Sequence, residues 1–151
     1  MKTILKIIVS LLLLTNSIAA MYGGGHLTIQ PDSMSQDLLE HTLFSDYLLP
    51  GIVLFITNGL FSFIVLGSIW LDHLNYYFLI ILQGAVLTGW IILQILFIQN
   101  IYSLHILLGS VGIALMIGGT LLWLIETRIK TRVVGRSLSI PNWLIVELSN
   151  R

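Results

Sequence analysis

Four histidines (His26, His41, His73 and His105) and seven carboxylates are the groups with which this chain could hold a metal or move a proton near neutral pH. Imidazole with carboxylate suits zinc or iron. The spacing of a preformed site is missing. There is no His-x-x-x-His and no His-Glu-x-x-His, and Glu40-His41 stands only as a dipeptide. Cysteine is absent, which removes disulfides, thiolate ligands and thiol nucleophiles together. Gly-x-Ser-x-Gly is absent as well. Gly23-Gly24-Gly25 lacks the Lys-Ser/Thr that completes a phosphate loop. Ser110 follows His105 at a spacing that does not face it on one helix. We assign no catalytic residue, no metal ligand and no cofactor from the sequence.

The elements that would position any such group are dictated by charge. All seven basic residues lie at the two ends, with none between Lys6 and Arg128. The chain is 56% hydrophobic and 9% charged, against about 25% charged in a soluble domain. Its mean hydropathy is +0.96. Residues 7–31, 47–71 and 73–125 carry no Asp, Glu, Lys or Arg. A helix rises about 1.5 Å per residue and the hydrocarbon core is about 30 Å thick, so roughly 20 residues cross it. The first two stretches each fit one crossing. The third fits two, with a turn at Gln99-Asn100-Ile101-Tyr102-Ser103. Runs such as Leu121-Leu122-Trp123-Leu124-Ile125 lack the alternation of a barrel strand.

The predicted fold is therefore an all-α membrane protein: an antiparallel four-transmembrane-helix bundle with spans at about 4–25, 48–71, 75–98 and 103–127. The bundle occupies 1–134, and 135–151 forms a tail. Basic flanks face the cytoplasm, so both termini are expected there, in a cytoplasmic (inner) membrane of bacterial type. An even number of spans agrees. The acidic segment with Asp32, Asp37, Glu40 and Asp46 then falls outside, and Asp72-His73-Leu74-Asn75 inside. That topology gathers His26, His41 and His105 near the outer face, leaving a metal- or haem-binding enzyme there as one open reading. The opening residues also fit a signal peptide, with a small-residue site at Ser17-Ile18-Ala19. Apolar character running on through Ala20-Met21-Tyr22 favours a retained span.

In the outer segment, Pro31-Asp32-Ser33 reads as a turn, and Gln36 to His41 as a short amphipathic helix at the bilayer surface. Ser45-Asp46 offers a cap for the second span, with Pro50 tolerable in its first turn and Gly51 leaving room for a neighbour. The run Thr42-Leu43-Phe44-Ser45-Asp46-Tyr47-Leu48-Leu49-Pro50-Gly51 resembles the signature of a family of small four-span bacterial integral membrane proteins. Pro31-Asp32 and Trp90-Ile91-Ile92-Leu93-Gln94 add to the likeness, while Leu43 departs from the family's usual proline. The resemblance covers about three-quarters of the chain. It implies four uncleaved spans and a motif of Phe44, Asp46, Tyr47, Pro50 and Gly51, and it brings no activity.

Polar side chains within spans are the remaining candidates: Asn58, Ser62, Gln83, Thr88, Gln94, His105, Ser110 and Thr120. Asn58 and Ser62 share a face, as do Gln83, Trp90 and Gln94. Bland interhelical bonding is the first reading, and an inter-helix pocket between Asn58, Gln83 and Gln94 the second. Small pairs at Gly84/Thr88 and Ala114/Gly118, with Gly109, Gly112 and Gly119, predict close packing of the third and fourth helices. Arg128 to Arg132 would anchor at anionic headgroups, followed by an interfacial helix at 141–148. The expected function is that of a small, non-enzymatic membrane protein acting through helix packing, lipids or a partner, either a second copy or another membrane protein. A small-molecule carrier is the alternative. A pI near 6.9 gives no basic face for nucleic acid.

Overall fold

The computed structural model describes residues 2–33 and 44–137, without the side chains of Lys130 and 132–137. The amphipathic segment expected at 36–41 and the interfacial helix expected at 141–148 lie outside these residues. Four long helices follow one another: α1 Lys2–Ile29, α2 Leu48–Trp70, α3 Tyr76–Ile98 and α4 Ser103–Ser137. All four are long and apolar enough to cross a bilayer. The shortest, at 23 residues, measures about 35 Å. No strand occurs among the described residues.

The outside of the bundle is apolar. Ile4, Leu11, Ile18, Phe63, Ile64, Leu96, Ile106 and Ile117 are all more than half exposed. Water would not tolerate so continuous a surface, whereas lipid chains would cover it. The chain is a multi-pass membrane protein by this measure. Its apolar core takes residues from every helix: Val9 and Leu13, Val65 and Ile69, Ile80 and Leu87, Leu115 and Leu122.

Helix ends follow local chemistry. The Asp46 carboxylate accepts the Leu48 N–H at 3.0 Å, satisfying one of the free donors at the start of α2. Pro50 sits in the first turn, where its missing N–H costs nothing. Asp72 and Asn75, at φ 45° and 71°, turn the chain between α2 and α3. Short polar side chains tolerate this left-handed region. Gln99, at φ 54°, ends α3 there without that advantage. Gln99→Gly should therefore raise the detergent melting temperature, by up to about 1 kcal/mol of stability.

Two ends differ from expectation. The first helix runs on past the expected end at about 25 to Ile29, with Gly24 packed inside the bundle. The last helix continues past the expected end at about 127, to Ser137. Within α2, residues Phe55–Leu60 form a widened π-helical turn.

Glycine contacts set the helix pairs. A β-carbon on Gly84 would lie 2.6 Å from the Gly112 carbonyl, and one on Gly112 only 3.1 Å from the Thr88 backbone nitrogen. Helices α3 and α4 thus meet backbone to backbone, as the small-residue spacing predicts. Ala114 is exposed instead of packed. Gly118 turns to α1, where Val9 sits 2.7 Å from its missing β-carbon. At the α1–α2 contact, Gly24 and Gly51 play the same part.

Candidate functional site

Two polar constellations stand out. The first is a buried layer halfway along α1, α2 and α3. Asn16, Ser17, Asn58, Ser62 and Gln83 are all at most 3% exposed. Asn16 Nδ2 donates to Ser62 Oγ at 2.8 Å and to the Asn58 carbonyl at 3.2 Å. Ser17 Oγ donates to the Gly59 carbonyl at 2.9 Å. Both carbonyls belong to the π-helical turn. A widened turn loosens the regular ladder, and side chains from a neighbouring helix supply the donors it wants. Gln83 Nε2 reaches Asn58 Oδ1 at 3.4 Å, and Asn58 Nδ2 donates to Thr57 Oγ1 at 3.1 Å. Gln83 Oε1 is buried without a hydrogen-bond partner.

Of the residues singled out from the sequence, Asn58 and Gln83 meet here. Gln94 does not, because it lies about 16 Å further along α3 and is only half-buried. Trp90 packs against the apolar core with its Nε1 unpartnered. His105 is buried at the start of α4. Its Nδ1 accepts the Tyr102 N–H at 3.3 Å, and the Tyr102 ring stands edge-on to it at 5.6 Å. It caps its own helix and stays apart from the layer. The residues of the Phe44–Gly51 run pack locally: Phe44 sets its ring edge-on against Phe97 at 6.3 Å, the Tyr47 backbone carbonyl accepts the Gly51 N–H, Tyr47 is buried, and Gly51 abuts Leu27.

The second constellation closes the end of the bundle that carries Lys2 and Lys6. Lys2 Nζ pairs with Glu126 Oε1 at 2.5 Å, and Lys6 Nζ with Asp72 Oδ1 at 2.5 Å. Tyr76 Oη donates to Glu126 Oε1 at 3.1 Å, and Lys6 lies over the Tyr76 ring at 4.7 Å. One clasp thus ties α1, the α2–α3 turn, α3 and α4. The hydrogen bond from Lys6 and then its charge hold the Asp72 carboxyl below the usual carboxylate range. A carboxylate lowered on folding adds stability above its unfolded pKa, and that contribution fades as pH falls through the lower folded value. The detergent melting temperature should be insensitive to this pair from pH 8 down to about 5, then fall in stronger acid. Asp72→Asn should flatten part of that acid fall. An unchanged acid slope would count against the pair.

Sequence reasoning missed Asn16, Ser17 and the clasp. Asn16 was an amide inside an apolar run, which was signal enough. Among the described residues, no three His, Asp or Glu gather as a metal would require. His41 and Glu40 lie outside those residues. No family model, curated protein or solved structure matches the chain.

Proposed function

We propose that the chain is a small integral membrane protein of the cytoplasmic membrane, with both termini on the cytoplasmic side. It works without catalysis, through contacts of its outer surface with lipid or with another membrane protein, a second copy included. The carrying observation is the buried layer: Asn16 and Ser17 bond to backbone carbonyls and to Ser62, so the mid-depth polarity holds helices together. The gathering of Lys2, Lys6 and Arg128 at one end, with Asp32 and Asp46 on the segment at the other, supports the orientation. The packing of Leu13, Ser17 and Gly24 supports a retained first helix. The resemblance of Phe44–Gly51 to the four-span bacterial family fits the same reading.

Reporter fusions at residue 151 and within 32–46 test the topology. Cytoplasmic signal at the first and extracytoplasmic signal at the second are expected, and the reverse pattern rejects the orientation. Co-purification from native membranes reads out the partner.

The unpartnered Gln83 Oε1 favours a second reading, a small-molecule carrier using Asn58, Gln83 and Gln94. Under it, Gln94→Leu changes a transport or binding phenotype at unchanged stability. A loss of stability alone removes it.

A further inference from the structure

The surface of the bundle is broken at the clasped end by a groove between α1 and α4 of about 450 Å³. Ile4, Leu5 and Ile8 form one wall, and Leu124, Ile125 and Arg128 the other. Such a volume falls in the range of small-ligand sites, roughly 300–1,000 Å³. Five of these six side chains are apolar, and the sixth is a cation at one end. The acidic groups beside it are already engaged, Glu126 by Lys2 and Asp72 by Lys6. Two of the cations at this end are thus offset by carboxylates, and the exposed Arg128 guanidinium adds a positive charge at the mouth of an apolar slot.

We propose that this groove binds one anionic glycerophospholipid of the inner leaflet, an acyl chain between α1 and α4 and the phosphate on Arg128. The inference rests on the membrane reading above and names the lipid class for it. Apolar walls alone would accept any acyl chain. The guanidinium selects, because it forms a two-pronged, charge-assisted bond to a phosphate oxygen pair, and a headgroup with net negative charge keeps the attraction that a zwitterion offsets. The membrane places the two parts correctly: a cation at the end of a span sits at the headgroup level, with the apolar walls below it in the acyl region.

The test is native mass spectrometry of the full chain in detergent, titrated with phosphatidylglycerol or with phosphatidylcholine of identical chains. Wild type should retain phosphatidylglycerol in preference. Arg128→Gln should lower that retention about fivefold and leave phosphatidylcholine unchanged. Ile8→Trp, which fills the groove, should lower both, and Leu124→Phe serves if Ile8→Trp does not fold. Arg151→Gln removes the same charge later in the sequence, at a residue that does not line the groove as described, and should change nothing. Equal retention of the two lipids by wild type overturns the proposal, as does an Arg151→Gln loss as large as that of Arg128→Gln. A chain that needs detergent yet shows no preference sinks the groove and leaves the membrane reading standing. A chain stable in water without detergent sinks both.

Discussion

Gly84→Ala is expected to destabilise the bundle by about 2–3 kcal/mol, although alanine is the better helix former by about 1 kcal/mol. The new methyl would lie 2.6 Å from the Gly112 carbonyl and 2.9 Å from the Met116 nitrogen. Both are backbone atoms, so no side chain can rotate aside. α3 and α4 would have to separate along their longest shared contact. Gly89→Ala on the same helix is the control, since nothing lies within 4 Å of its missing β-carbon. It should leave stability unchanged or raise it. Denaturation in mixed micelles, followed by circular dichroism, reads both. Equal effects at the two positions would show that propensity, not close approach, governs this helix.

Asn16→Leu should cost a similar amount, about 2–3 kcal/mol, by a different route. The leucine is apolar and would suit lipid, so burial itself is no obstacle. The cost comes from what is left behind. Ser62 Oγ loses a donor at 2.8 Å and the Asn58 carbonyl one at 3.2 Å. A buried group without its partner costs about 1–3 kcal/mol. Ser62→Ala, which removes one acceptor and leaves the carbonyl bonded, should cost about 0.6 kcal/mol. A double-mutant cycle between Asn16 and Ser62 should show coupling of the same order. Full additivity would mean that the two side chains do not act together.

Much of this architecture is legible in residue order, because the solvent is lipid. Charges cannot enter the slab, so the uncharged stretches mark the crossings and Lys2, Lys6 and Arg128 mark an end. Gly84, Thr88 and Gly112 announce a close helix pair through their spacing. Spacing fixes a face but not the neighbour it meets, which is why Gly118, expected to face the third helix, in fact meets Val9 of α1. Asn58 and Gln83 were visible as polar groups at mid-depth. Asn16 and Ser17 were overlooked because small residues before Ala19 also describe a cleavage site. The π-helical turn at Phe55–Leu60 has no local signature. Its donors come from α1, a tertiary fact that no window of α2 contains. The pairing of Lys2 with Glu126 was hidden for the same reason: basic residues were read for sidedness alone.

That pairing also sets an order of events in the making of the protein. Lys2 leaves the ribosome long before Glu126, which is translated only after three helices have been delivered. Until then Lys2 lacks its carboxylate and Val9 has no Gly118 to rest on. The opening helix can settle against α2 early, yet its other flank stays uncovered for most of synthesis, and the ring of helices shuts only when the closing segment arrives.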